Sequence, residues 1–280
     1  MIFSRTLRWL VLVPMLCACS AASSPAPQPI PTLRPTVTAQ PQPTDTTTTA
    51  ADTGWVAGSH GIELRTLRAE QGSQQAQITV ARLNLAQVRL RVGYSPGSPR
   101  PLLDWAKQTD ALLVVNGSFF DEAFRATALL VSDSAATGQS YQGFGGMLAV
   151  APDGQVGIQP LRDQGYDPQQ PLEQALQSFP MLIFPGGVDA GVEWDAQRDR
   201  RTALALDRQG RMLIIICAQP AFSLNEFAAW LRQSDLEIDR ALNLDGGSST
   251  GLYVNADAAQ AEILPFSRLP IVLYAEPRAS

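Results

Sequence analysis

The chain has 280 residues but only one histidine, His60, one lysine, Lys107, and three cysteines. With so few imidazole and thiol groups, a zinc site built from several His or Cys ligands is excluded. A Ser-His-Asp triad would have to recruit His60, whose setting Gly58-Ser59-His60-Gly61 reads equally as a solvated loop. Cys17 and Cys19 fall in a leader, so Cys217 has no intramolecular disulfide partner once the leader is removed. In the apolar run 212–217 it reads as a buried small hydrophobe. Charged residues are also sparse, 17% with a net charge of −5 and no dense Lys/Arg run. The clustered basic face that neutralises nucleic-acid phosphates is therefore missing, and no nucleic-acid partner is expected. Every cation except Lys107 is Arg, which suits bidentate contact with phosphate or carboxylate, although a GC-rich genome gives the same bias.

Apolar residues, by contrast, make up 45% of the chain, enough to bury one sizeable core. At the N-terminus Arg5 and Arg8 precede the apolar run 9–16, too short to span a bilayer and of the length of a secretory h-region. Leu16-Cys17-Ala18-Cys19 resembles a bacterial lipobox, which makes residues 1–18 a signal peptide and Cys19 the lipidated N-terminus; the competing reading is an ordinary signal peptide. Residues 19–53 are rich in Pro, Thr, Ala and Gln, with no hydrophobic period. Ordering them would cost entropy without burial, so they are expected to form a disordered stalk. A folded domain follows, residues 54–280, held by lipid and stalk at the outer face of the cytoplasmic membrane or the cell surface of a bacterium.

That domain reads as a single α+β unit with a mixed, largely antiparallel sheet covered by a few helices. Short apolar runs at 111–115, 147–150, 203–206, 212–217, 241–244 and 271–274 predict strands. Pro152-Asp153-Gly154 and Asp207-Arg208-Gln209-Gly210 join neighbouring runs as hairpins. Ser223 with Glu226 three residues later forms a capping box ahead of Leu224, Phe227, Ala228 and Leu231, which predicts a helix with one buried face. Residues 101–107 and 172–176 read as shorter helices.

Three polar clusters sit at predicted strand ends. In Asn243-Leu244-Asp245-Gly246-Gly247-Ser248-Ser249-Thr250, alternation sends Leu242 and Leu244 into the core and Asn243 with Asp245 to the other face. The two glycines permit a sharp turn, and the hydroxyl residues that follow have N–H groups suited to an anion nest, yet the block alone reads equally as a hairpin turn. It is not a Walker A loop, because no Gly-Lys-Ser/Thr follows. Asn116-Gly117-Ser118-Phe119-Phe120-Asp121 ends a second strand, and Asp199-Arg200-Arg201-Thr202 begins a third. Paired arginines there are either a solvated edge or include one drawn inward to an anion.

Asn116-Gly117-Ser118-Phe119-Phe120-Asp121, Gln177-Ser178-Phe179-Pro180-Met181-Leu182-Ile183, Arg201-Thr202-Ala203 and the block 243–250 occur in an order and spacing similar to those of the phosphodiester glycosidase family. The resemblance runs from about Asn116 to Tyr274 and is most specific in the Asn-Leu-Asp-Gly-Gly block. Phe179 stands where the family usually has Gly before the Pro, and Ser248 follows two glycines where many members have three.

The resemblance implies hydrolysis of a sugar-1-phosphodiester in envelope or extracellular glycans, with a phosphorylated glycan or glycolipid as substrate. Phosphate leaves an anomeric carbon with less protonation than an alcohol needs, so one carboxylate suffices for attack or water activation, with a guanidinium on the departing phosphate. Asp245 is expected in the first role, Arg201 in the second, and Asp121 as a further carboxylate. Asn116, Gly117 and Asn243 are expected to face the sugar, and Gly246, Gly247, Ser248 and Ser249 the phosphate. Carboxylates are numerous enough for an oxygen-ligated divalent cation, but no EF-hand-like spacing occurs, so no metal or other cofactor is expected. Two other classes stay open: a non-catalytic lipid-anchored receptor for phosphate-bearing glycans, and a phosphodiesterase attacking at phosphorus through Ser248 or Ser249.

Overall fold

The computed structural model describes residues 52–71 and 74–278. The signal peptide at 1–18, Cys19 and all of the stalk before Asp52 lie outside the described residues. From Asp52 on, the chain is attached to the domain: Asp52 accepts from Arg65 Nε at 2.9 Å, and the Thr53 N–H donates to the Thr66 carbonyl at 3.0 Å. No helix among the described residues is long and apolar enough to cross a membrane.

Eighteen strands and two α-helices are described, so the domain is more β-rich than an α+β sheet covered by helices. The paired strands are antiparallel throughout the three sheets. The largest has eight strands in the order Val56–Ala57, Ile62–Gln71, Gln74–Leu83, Met212–Phe222, Asp199–Asp207, Ile238–Asn243, Met181–Phe184 and Val188–Asp189. A second has the order Ala135–Thr137, Leu130–Ser132, Gln174–Ser178, Gly146–Val150, Val156–Pro160. The third has Ala259–Ile263, Leu252–Ala256, Leu113–Asn116, Ile271–Pro277, Val88–Tyr94.

One apolar core unites them. Leu204, Ile214 and Leu242 from the first sheet, Leu148 and Leu176 from the second, and Leu113 and Leu273 from the third belong to a single buried cluster. The outer face of the first sheet is covered by the helix Leu224–Gln233 through Phe227, Ala228 and Leu231. Its capping box is present: Ser223 N donates to Glu226 Oε2 at 2.9 Å, and Glu226 N returns to Ser223 Oγ at 3.4 Å. The helix Leu102–Thr109 covers the outer face of the third sheet through Leu102, Trp105 and Ala106.

Both hairpins form, pairing Val150 with Val156 and Leu206 with Met212. The helix expected at 172–176 does not. Residues Gln174–Ser178 are a strand, buried on both faces and paired on both edges. A strand enclosed this way has no polar face to alternate with its apolar one, and five residues are too few for helix propensity to win against two ladders. Gln174, fully buried, accepts from Val92 N at 3.1 Å and donates to Asp133 at 2.8 Å. Cys217 is buried as expected and burial pushes its thiol up to about 11. His60 is exposed in a short turn.

Candidate active site

The three polar clusters converge where strand ends of the first and third sheets meet. The fastener is Asn116. Its Nδ2 donates to the Asp245 carbonyl at 2.7 Å, while its Oδ1 accepts from Thr202 Oγ1 at 2.9 Å and from Gly251 N at 3.1 Å. Asn116 is fully buried and both ends of its amide are engaged within the protein, so its observed role is to position Asp245 rather than to present a free amide to a sugar. Gly117 adds a second link, accepting from Asp245 N at 3.2 Å. A Cβ there would sit 2.3 Å from Ile271 Cγ2, so only glycine lets the two strands approach this closely.

Alternation holds on the strand leading to Asp245. Leu242 and Leu244 are fully buried in the shared core, and Asn243 lies on the opposite face. Asn243 Nδ2 donates to the Phe179 carbonyl at 2.8 Å. Ala203 pairs with Asn243 at the end of that ladder, and Leu244 N donates to the Thr202 carbonyl at 2.9 Å, which keeps the segment entering Asp245 alongside the strand that carries Arg201. Arg201 does not close onto the acid. Its Nε and Nη2 donate to the carbonyls of Phe222 at 3.2 Å and Gln197 at 2.7 Å, leaving Nη1 without a protein partner among the described residues. Burial draws the Arg201 guanidinium below its usual value.

Asp245 is partly buried and accepts from Gly246 N at 2.9 Å. Burial raises its carboxyl above the ordinary range; hydrogen bonds from Ser249 and Gly246 pull the other way, and the nearby charge of Asp199 adds to the rise. Gly247 follows with φ +57°, the left-handed region, and a Cβ there would lie 3.0 Å from Asp199 Oδ2. Ser248 is exposed and its carbonyl accepts from Phe266 N at 2.7 Å; buried Ser249 shares a hydrogen bond with Ser267 Oγ at 3.3 Å.

Asp121 has its carboxyl engaged locally. It closes a turn, accepting from the N–H groups of Ala123 and Arg125 at 2.9 Å each and pairing with the Arg125 guanidinium at 2.9 Å. The Arg125 backbone N–H first, then its guanidinium, holds this carboxyl below the usual range. No hydrogen bond or ion pair joins it to Asp245 among the described residues, and the carboxylate beside Asp245 is Asp199.

Asp199 and Arg200 belong to the block marked in the sequence, where neither is given a role; both lie at the candidate site. The ladder register shifts between Asp199 and Arg201, and the two arginines engage different partners. Arg200 is buried, donates to the Leu264 carbonyl at 3.0 Å, and stacks 4.4 Å from the Phe266 ring. Its Nε and Nη1 have no partner among the described residues. The signal was present: two arginines in succession at a strand start must face opposite ways, so each deserved a separate assignment. Neither guanidinium has a carboxylate within ion-pair distance among the described residues, which leaves the site two cations for an anion. No group of three or more His, Cys, Asp or Glu among the described residues is arranged to hold a metal.

A largely antiparallel β domain thus brings a carboxyl raised by burial, and two guanidiniums with no carboxylate partner among the described residues, to converging strand ends. The family model for phosphodiester glycosidase matches residues 109–268, more than half the chain and all of these site residues, and the chain belongs to that family. The catalytic domain of zebrafish N-acetylglucosamine-1-phosphodiester alpha-N-acetylglucosaminidase, in a structure described as auto-inhibited by its pro-peptide, has a similar fold. Its TM-score is 0.62 at 18% identity, over 78% of this chain and 83% of that one. A hypothetical protein from Synechocystis is similar with a TM-score of 0.56 at 19% identity, over 78% of this chain and 62% of that one. No curated protein matches the sequence.

Proposed function

We propose that this chain is an extracytoplasmic hydrolase that cleaves the bond between an anomeric carbon and phosphate in a glycosyl phosphodiester. The observation that carries the reading is the convergence at one strand end: Asn116 ties the Asp245 carbonyl to Thr202, next to Arg201, and Arg201 makes no ion pair with a carboxylate among the described residues, which leaves its Nη1 for a phosphate. Asp245 binds a proton more readily than an ordinary aspartate, which suits it to take the proton of a water attacking the anomeric carbon. As the new C–O bond forms, the old one breaks and its electron pair leaves on the phosphate oxygen. Arg201 Nη1 stabilises that developing charge, with the Gly246-Gly247 backbone and Ser248 and Ser249 as neighbouring donors. Asn243 has its Oδ1 available for a sugar hydroxyl. Family membership and the zebrafish fold support this reaction class.

The setting rests on the N-terminal sequence: a signal peptide, lipidation at Cys19 and a stalk put the domain outside the cytoplasmic membrane, facing phosphorylated envelope glycans.

Release of sugar and phosphomonoester from a panel of glycosyl-1-phosphodiesters tests the activity, with and without chelator. In labelled water the heavy oxygen should appear on the sugar; its appearance on phosphate would instead establish attack at phosphorus. Asp245→Asn should lower kcat by at least about a hundredfold, the scale of a lost acid–base group, with little change in KM. A folded Asp245→Asn variant with unchanged turnover would refute the assignment.

A further inference from the structure

Beside Asp245 the structure carries a cluster of four aromatic rings that the chemistry does not use. Phe119 and Phe179 lie 4.7 Å apart by ring centroids, Tyr141 and Phe144 lie 4.6 Å apart, and Tyr141 and Phe144 meet Phe179 edge-on at 5.6 and 5.8 Å. Two of these rings remain open to solvent, Phe144 at 47% and Phe179 at 39% exposure.

The cluster is fixed to the acid at two points. The Phe179 carbonyl holds the side chain of Asn243, two residues before Asp245 in the chain. The Gly117 carbonyl, two residues before Phe119, holds the Asp245 N–H. The loop bearing Tyr141 and Phe144 is pinned by fully buried Gln177, which accepts from Tyr141 N and donates to Ser140 Oγ, each at 2.9 Å. The rings are therefore preorganised, which lowers the ordering cost of binding.

We propose that Phe179, with Phe144 beside it, is a stacking wall for the apolar C–H face of a pyranose whose anomeric carbon is presented to Asp245. This rests on the glycosyl phosphodiester reading and sharpens it: the wall selects for an intact sugar ring rather than for phosphate alone. A sugar matches the chemistry of the place. Phe179 borders a pocket whose lining also includes Pro180, Met181, Val192 and Leu224, and its own carbonyl holds the polar side chain of Asn243. A ring with one apolar face and a hydroxylated edge meets both requirements, whereas an acyl chain would leave the polar edge unmatched.

The test is calorimetric titration of the full chain with N-acetylglucosamine 1-phosphate, glucose 1-phosphate, an alkyl phosphate and inorganic phosphate. Phe179→Ala and Phe144→Ala should each weaken sugar-phosphate binding about five- to tenfold, the worth of one aromatic stacking contact, while inorganic phosphate binds unchanged. Phe179→Tyr should restore the sugar affinity, and Phe144→Ala, on an exposed loop, guards against a Phe179→Ala chain that fails to fold. The proposal is overturned if both variants bind the sugar phosphates as tightly as the unaltered chain, if inorganic phosphate loses as much, if only the alkyl phosphate responds, or if no sugar phosphate binds. Binding that depends on Phe179 without any turnover would uphold the wall and refute the hydrolase.

Discussion

Replacing Asn116 by leucine keeps the side chain's shape and removes all of its hydrogen-bonding capacity. Three close bonds disappear: to the Asp245 carbonyl at 2.7 Å, from Thr202 Oγ1 at 2.9 Å and from Gly251 N at 3.1 Å. Each partner left unsatisfied in a buried site costs about 1–3 kcal/mol. Thr202 Oγ1 retains a donor route to Thr250 Oγ1 at 3.3 Å, which moderates one of the three. The loss should total about 4 kcal/mol, a large part of the roughly 5–15 kcal/mol that holds a typical domain together. Urea denaturation should show a lower midpoint with an unchanged m-value, because the surface exposed on unfolding is the same. A loss below about 1 kcal/mol would refute the reasoning, being no more than one ordinary hydrogen bond. If such a stable variant also lost sugar binding, Asn116 would be a sugar ligand after all.

The raised carboxyl of Asp245 makes its ionised form a cost to the native state. A group whose proton affinity rises on folding contributes stability fully below its unfolded value, about 3.9, and loses it as pH rises through the folded one. Asp245→Asn should therefore melt higher than the unaltered chain by a margin that is larger at pH 7 than at pH 3, and a margin that grew on acidification would contradict the burial argument. Cys217, with its thiol pushed up to about 11 by burial, should resist alkylation in the folded chain at pH 8 and react only on denaturation; rapid labelling of native protein would show that the site is open.

Much of the fold was legible where a local signal matched the final environment. The capping box at Ser223 and the two turn-joined strand pairs needed only neighbours within a few residues, and they formed as read. The segment 172–176 failed because its state was decided by partners at 146–150 and 130–131 in the chain. The long strands Ile62–Gln71 and Gln74–Leu83 pair with each other from end to end, and their alternation was visible in the sequence without being singled out as strands. At the site, alternation correctly put Leu242 and Leu244 in the core and Asn243 on the opposite face. It did not reveal that Asp199 would lie against Gly247, nor that Arg200 would be buried beside Phe266, because both contacts are made with segments distant in the chain.

Asn116 bridges residues 86, 129 and 135 positions away in the chain with one side chain. Contacts of such separation must await the closure of long loops, so this cluster belongs to the late events of folding, after hairpins and helices have formed on their own. A partial opening that frees the 113–116 strand end would abolish the arrangement around Asp245 while leaving most secondary structure in place. Activity would then vanish before circular dichroism registers a change, which makes turnover the more sensitive gauge of whether the last seam of the molecule is shut.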